Sequence, residues 1–252
     1  MNVRDKQKNI EYFDEFVEFD RGAADKRFAD VETFPNLDGR PGRASSLVSY
    51  CFKVCVLRFG RGDEIGAIRA DVWRWVEAME IYARIVAAMP VEPASVKLMY
   101  TRVQLDTVYD AQTLLAFAVA LKFDTTEIKR VLNAIGHAGE DALIDEAAKT
   151  LGDSTRKVAA NSKFPKVYAG LVDVWRCAPA ERASKLNDFM GKWKRNIKPI
   201  YWSNSLEGAE GAYFGYWAFD VALAVMLLGI DDTALKSNPH YPADLVAWAR
   251  TR

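Results

Sequence analysis

The chain has 252 residues, which is enough for one large domain or two small ones with a buried core. Its 34 Lys and Arg residues balance 34 Asp and Glu residues, so no global field attracts nucleic acid or an anionic membrane. Half of the residues are hydrophobic and 27% are charged. These values exclude a disordered chain, a collagen-like repeat and a miniature disulfide scaffold.

Cysteine content and charge distribution favour a cytoplasmic protein. Three cysteines, an odd number, fit a reducing compartment in which thiols are buried. The first 20 residues contain no apolar run, so we expect no secretory signal. The longest uncharged stretches, 111–121 and 221–230, are shorter than the roughly 18 to 20 residues that span a bilayer. The sequence therefore predicts no membrane segment.

The hydrophobic periodicity predicts an all-α fold, a bundle of about eight to ten mostly antiparallel helices. An amphipathic helix is expected at about residues 4–19 and a second at about 44–59. A heptad stripe predicts a helix from Asp63, as its N-cap, to Met89, with Pro90 ending it. The remaining helices are expected at about 95–122, 125–135, 140–151, 165–176, 180–197, 212–228 and 242–250.

A seam near residues 123–126 suggests two lobes. The predicted domains are residues 1–122 and residues 123–252. No internal repeat and no flexible linker mark the boundary, so the division depends on the helix pattern alone.

Few residues in the sequence favour metal or cofactor chemistry. His137 and His240 each lack a second ligand at metal spacing, so we expect no zinc or di-metal site. The stretch 60–66 resembles a dinucleotide fingerprint, but its third glycine is misplaced and no strand precedes it. We therefore expect no cofactor.

A basic stretch near residue 195 allows two interpretations. Four cations alternate with three aromatic residues; these are Lys192, Lys194, Arg195 and Lys198 with Trp193, Tyr201 and Trp202. Such a stretch can bind nucleic acid through stacking rings. It can equally complement the dipole at a helix C-terminus while the rings pack inward. The zero net charge favours the second interpretation.

Asp220 stands in the most apolar segment of the chain, residues 212–228. A carboxylate there is expected to be buried and to pair with an Arg or to accept a hydrogen bond from a Tyr or Trp. A catalytic acid with a raised pKa is the alternative, but no second polar group is evident beside it. The sequence therefore favours a structural role.

A set of short motifs follows residue 200. These are Tyr201-Trp202, Gly215-Tyr216-Trp217 with Asp220 three residues later, Asp231-Asp232 and Tyr241-Pro242. Together they resemble the C-terminal domain of the PoNi family, the immunity proteins of polymorphic nuclease (PoNe DNase) effectors. Residues 50–80 and 109–121 are similar, more loosely, to the N-terminal domain of that family.

The resemblance implies a cytoplasmic immunity protein that binds and neutralises a cognate DNase toxin, delivered between bacteria, for example by type VI secretion. It implies no catalysis, no metal, no cofactor, and no direct contact with nucleic acid or membrane. The toxin and the oligomeric state stay open, and a homo-oligomer is compatible with the sequence. Two alternatives are a helical enzyme that uses Asp220 or the pair Asp231 and Asp232, and a nucleic-acid-binding protein that uses Lys192–Lys198.

Exposed acids are the expected contacts with a toxin, because a DNase presents a basic groove for phosphates. The first predicted stripe consists of Glu11, Asp14, Glu15 and Glu18, and the second choice is Glu207 and Glu210. The alternative is an ordinary solvated helix face. Asp231 and Asp232 are expected to shape the turn between the last two helical segments.

Overall fold

The computed structural model describes residues 3–90 and 93–251 of the chain. These residues form α-helices and short 3-10 helices and contain no β-strand, so the predicted all-α fold is confirmed. The α-helices of the described ranges are α1 Ile10–Asp30, α2 Arg40–Arg61, α3 Arg69–Ala87, α4 Ala94–Thr101, α5 Leu105–Ala120, α6 Thr125–Ile135, α7 Ala142–Thr150, α8 Pro165–Arg176, α9 Pro179–Met190, α10 Trp193–Asn196, α11 Phe219–Leu228 and α12 Ala243–Thr251.

Helices with strong local signals have the predicted boundaries. α6 begins after Asp124, whose carboxylate accepts a hydrogen bond from Glu127 N at 2.8 Å, while the Glu127 carboxylate accepts one from Asp124 N. It ends at Gly136, whose φ of 66° is readily available to glycine. α8 begins at Pro165, which needs no amide partner in the first turn.

The predicted helix over residues 212–228 is wrong in its first half. Residues 212–218 form a segment without regular secondary structure, and α11 begins only at Phe219. Gly215 has a φ of 122°, which is outside helical geometry. The segment from Tyr213 to Ala218 is nevertheless buried. The apolar composition of this segment therefore indicates burial, and a buried irregular segment shares that composition with a buried helix.

The predicted role of Asp63 as an N-cap is also wrong. A 3-10 helix, Ile65–Ile68, precedes α3, and no side chain of Asp63 caps either element. The Asp63 carboxylate instead accepts hydrogen bonds from Arg58 Nε and Arg61 Nε, both at 2.6 Å. Two guanidinium groups compete for this carboxylate more strongly than the amides of a helix start.

Other predicted helix boundaries differ from those of the structure. The helix predicted at 95–122 is divided into α4 and α5, because Gln104 makes a capping box with Thr107 at the start of α5. The helix predicted at 180–197 is divided into α9 and α10. α1 begins later than expected, at Ile10. It follows the N-cap Asn9, whose side chain accepts a hydrogen bond from Tyr12 N at 3.1 Å.

The chain divides into two units. The first contains the described residues up to Arg102 together with Glu210–Gly215, and α2 packs there against both α1 and α3. The second contains Val103–Ala209 and the described residues from Tyr216 onward, with α5 packed against α11. The domain division expected after residue 122 stays a prediction.

Each unit has an aromatic core of its own. In the first, the rings of Phe52 and Trp75 lie 5.2 Å apart. In the second, the rings of Phe117 and Phe219 lie 5.1 Å apart, and all four side chains are buried. Throughout residues 3–90 and 93–251, no helix combines the length and apolarity that a bilayer crossing requires.

Candidate functional site

Asp220 lies in the first turn of α11 and is completely buried. Its two carboxylate oxygens lie 3.0 and 3.2 Å from Nε1 of Trp193, and Oδ1 also accepts a hydrogen bond from Val221 N at 2.9 Å. Burial raises the pKa of Asp220 to about 7, although these donors favour the ionised form. The geometry is that of a structural carboxyl group inside the second unit.

The aromatic motif residues surround the same core. The hydroxyl of Tyr109 donates to Trp217 O at 2.7 Å, and its ring lies 4.7 Å from that of Trp202. The Tyr216 hydroxyl accepts a hydrogen bond from Leu206 N at 2.9 Å. Tyr201 differs, because its side chain is 69% exposed. Most of the motif thus maintains the fold of the second unit and does not form a surface.

Asp231 and Asp232 have different roles although they are neighbours. Asp231 is exposed, and its Oδ1 accepts from both the amide and the hydroxyl of Thr233, at 3.1 and 2.7 Å. Asp232 is buried and accepts from the Tyr241 hydroxyl at 2.9 Å and from Arg250 Nη1 at 2.6 Å. Burial opposes ionisation of Asp232, but these two donors hold its pKa below the ordinary value. Tyr241 and Pro242 therefore position the start of α12.

The two neighbouring acids provide a matched pair of variants. Asp232→Ala is expected to lower the free energy of unfolding by about 1–3 kcal/mol, because the buried Tyr241 hydroxyl loses its acceptor. Asp231→Ala removes only an exposed turn contact and is expected to have the smaller effect. Urea titration followed by circular dichroism measures both. An equal or larger loss of unfolding free energy in Asp231→Ala would show that the exposed turn contact stabilises the chain at least as much as the buried contacts of Asp232.

The predicted acidic stripe is on the surface of the first unit. Glu11, Asp14, Glu15 and Glu18 are all exposed on α1. Asp14 accepts a hydrogen bond from Arg61 Nη1 at 2.8 Å, so its charge is partly compensated. Beside these acids the ring of Phe19 is 62% exposed.

Glu210 belongs to the same face, because the segment 210–215 packs on α1. The Tyr12 hydroxyl donates to Tyr213 O at 2.7 Å, and the Tyr213 hydroxyl donates to Asp5 Oδ2 at 2.6 Å. Gly211 lies so close to Phe16 that an added Cβ would be 2.2 Å from its ring. Burial raises the pKa of Tyr12 to about 12, and the negative charges of Asp20, Glu210 and Glu15 raise it further.

We define the acidic surface as Glu11, Asp14, Glu15, Glu18 and Glu210. Glu207 is exposed in the second unit.

The structure also contains charge networks that the sequence interpretation missed. In the first unit Arg58 contacts both Asp63 and Asp71, and Arg21 Nη2 lies 3.2 Å from the Asp71 carboxylate. In the second unit the buried pair Asp145 and Arg156 is joined at 2.6 Å. An acid inside a short apolar helix, as at Asp145, was the available signal, as it was for Asp220.

The geometry limits both alternative functions. Trp193 and Trp202 are buried, so their rings cannot stack on bases. Asp220 has no exposed surface, whereas Asp231 and Asp232 are engaged in a turn and an ion pair. Over the described part of the chain, no three His, Cys, Asp or Glu side chains are grouped so as to hold a metal ion.

Comparison with known proteins confirms the predicted resemblance of the C-terminal part of the chain to the PoNi family. Residues 139–245 match the family described as PoNe immunity proteins (PoNi), C-terminal. The chain is also similar to the crystal structure of protein PA2201 from Pseudomonas aeruginosa, with a TM-score of 0.74 and 16% identity over 98% of this chain and 90% of that one. At this identity the likeness shows a common fold. No curated protein matches the chain.

Proposed function

We propose that this protein is an immunity protein that binds a nuclease effector and neutralises it. The match of residues 139–245 to the PoNe immunity proteins carries the proposal. The protein acts by binding and not by catalysis, which is consistent with the structural roles of Asp220 and Asp232. Its place of action is the cytoplasm of the cell that it protects, where a DNase toxin arrives by a route such as type VI secretion.

The acidic surface of the first unit is the proposed contact for the toxin. A DNase binds the phosphate backbone through a basic groove, and a local negative surface attracts such a groove even when the net charge of the protein is zero. Glu11, Glu15, Glu18 and Glu210 supply exposed negative charge, and Phe19 supplies an exposed apolar ring beside it. Aromatic anchors of this kind carry much of the energy of protein interfaces.

Reversal of three of these charges is expected to weaken toxin binding. In the triple variant Glu15→Lys/Glu18→Lys/Glu210→Lys we expect an association rate at least about tenfold lower at low salt, because electrostatic steering is lost. Asp14 is left unchanged because it pairs with Arg61, and Glu11 because it lies in the first turn of α1, where a negative charge stabilises the helix. Stopped-flow or biosensor kinetics with the purified toxin measures the rate.

A matched control variant distinguishes the effect of charge at the acidic surface from the effect of the net charge of the chain. Asp38→Lys/Glu64→Lys/Glu77→Lys makes the same change of net charge at exposed positions of the first unit outside the acidic surface. This control is expected to retain most of the association rate. Equal slowing in both variants would remove α1 and Glu210 from the interface, and the same comparison with Glu207→Lys would then test the second unit.

Inhibition of the nuclease tests the function itself. The purified chain, added in equimolar amount to its cognate nuclease effector, is expected to suppress cleavage of plasmid DNA. A metal-dependent hydrolytic activity of the purified chain would support the enzyme alternative. Tight binding of DNA by the chain, with a steep salt dependence, would support the nucleic-acid alternative. Undiminished DNA cleavage would contradict the proposal.

A further inference from the structure

An open cavity of about 500 Å³ lies at the C-terminal end of α9 in the second unit. Its volume is within the ordinary range for sites that bind small molecules. The polar lining combines cations with hydrogen-bonding groups, namely Lys194, Arg195, Lys198, Asn204, Asn238 and His240. The toxin interface proposed above does not use this cavity.

The residues that line the cavity carry a net positive charge. Three cations line it, whereas none of its lining residues is an acid. Elsewhere in the chain Arg58 and Arg156 form close ion pairs with carboxylates. Arg195 and Lys198, by contrast, form no ion pair with any carboxylate of residues 3–90 and 93–251. An anion from outside the chain is the natural counterion for such a site.

Lys194 is held inside this cavity by two contacts. Its Nζ donates a hydrogen bond to Ser203 O and lies 3.2 Å from the centroid of the Tyr216 ring. Burial lowers the pKa of Lys194 to about 8, although the charge of Glu207 opposes this shift. A bound anion would stabilise the ammonium form and raise that pKa, so binding near pH 8 would take up protons.

Asn238 and His240, which also line the cavity, are held in place by hydrogen bonds. His240 Nδ1 lies 3.0 Å from Tyr216 O, and because a carbonyl oxygen only accepts, Nδ1 carries the proton. His240 N donates to Asn238 Oδ1 at 3.0 Å. The Asn238 side-chain amide thereby has its oxygen occupied and its NH₂ group left as a donor. These groups are ordered before any ligand binds.

We propose that this cavity binds a phosphate monoester group, either as free phosphate or as part of a small molecule of nucleotide size. A phosphate carries close to two negative charges at neutral pH, which matches the three cations of the lining. The guanidinium of Arg195 can bind two phosphate oxygens at once, and the lysines add point charges. The volume leaves room for a nucleoside beyond the phosphate.

Calorimetric titration of the full chain at low salt tests the site without any toxin. The probes are inorganic phosphate, adenosine 5′-monophosphate, and adenosine as the uncharged control. We expect saturable binding of a phosphate-bearing probe at one site and no binding of adenosine. The variant Arg195→Gln/Lys198→Gln is expected to weaken binding at least about tenfold, and its circular dichroism and melting curve verify that it folds.

A second pair of lysines serves as the matched control. Lys166→Gln/Lys192→Gln removes the same net charge from exposed residues of the second unit that do not line the cavity. It is expected to leave affinity within about twofold. Titrations at pH 8 in buffers of different ionisation enthalpy are expected to show net proton uptake by the wild-type chain.

The outcomes are distinguishable. Equal affinity for both phosphate-bearing probes identifies free phosphate as the ligand, whereas tighter binding of the monophosphate identifies a nucleotide; both results support the site. Binding of neither probe at millimolar concentration would overturn it, and so would equal weakening in both double variants. Binding of duplex DNA alone would also overturn it, because a diffuse basic surface then explains the charge.

Discussion

Replacement of Arg156 by Met is expected to lower the free energy of unfolding of the second unit by about 3–5 kcal/mol. The Arg156 side chain is 3% exposed and that of Asp145 is 0% exposed, and Nε of the former lies 2.6 Å from Oδ1 of the latter. Arg156 Nη2 also donates to Gly136 O at 2.8 Å. Removal of the guanidinium leaves a buried carboxylate without its counterion.

In Arg156→Met, the Asp145 carboxylate is still partly stabilised by its other hydrogen-bond donors. It still accepts hydrogen bonds from Gly139 N at 3.1 Å and Ala159 N at 3.0 Å. The double variant Asp145→Asn/Arg156→Met removes the uncompensated charge as well, so we expect it to be more stable than Arg156→Met alone. Chemical denaturation followed by circular dichroism measures both.

An exposed ion pair of the same unit is the control. Lys163 and Glu140 are 49% and 41% exposed, and their charged atoms lie 4.0 Å apart. Lys163→Met is expected to change stability by less than about 1 kcal/mol. A loss in Arg156→Met no larger than this would show that the buried pair does not stabilise the second unit.

Stability is expected to fall as the pH rises from 5 to 7. Asp220 is one cause, and Asp110, whose pKa burial raises well above its ordinary value, is another. The pKa of Asp220 is about 7 in the folded chain because of burial, against about 4 when unfolded. Between these values the folded state holds a proton that the unfolded state releases, so ionisation favours unfolding. The slope from one such group approaches about 1.4 kcal/mol per pH unit.

Asp20 also lowers stability as the pH rises, because burial raises its pKa to about 6. The charge of Lys53 lowers that pKa, but by less. The pKa of Asp63 is lowered, so its contribution is lost only under more acidic conditions. We therefore expect Asp220→Asn to flatten the dependence of unfolding free energy on pH between 5 and 7. Asp231→Asn, at an exposed carboxylate whose pKa is lowered by Thr233, is expected to leave it unchanged. An unaltered slope in Asp220→Asn would show that Asp220 is ionised throughout this range.

Local signals account for the parts of the fold that the sequence predicted well. Asp124 and Gly136 bound α6, and Pro165 begins α8, because capping and proline geometry depend on neighbouring residues only. The segment 212–218 could not be assigned in this way. Most of its residues are apolar and buried without forming a helix, and composition does not distinguish a buried irregular segment from a buried helix.

The candidate sites were predicted only in part for a similar reason. The exposed acids of α1 follow from helical periodicity, and the motif residues from their resemblance to a family. The approach of Glu210 to α1 depends on contacts between Tyr213 and Tyr12, which are 201 residues apart. For the Lys192–Lys198 stretch the sequence left nucleic-acid binding as the less favoured alternative, because the burial of Trp193 against Asp220, a residue outside the stretch, is not visible in the sequence.

Growth of cells that express the cognate nuclease effector tests the central claim most directly. Co-expression of this chain is expected to restore growth and intact chromosomal DNA. The variant Glu15→Lys/Glu18→Lys/Glu210→Lys is expected to protect less at equal protein level, whereas Asp38→Lys/Glu64→Lys/Glu77→Lys should protect as well as the wild-type chain. Degraded DNA and arrested growth in the presence of folded wild-type protein would contradict the assignment as an immunity protein.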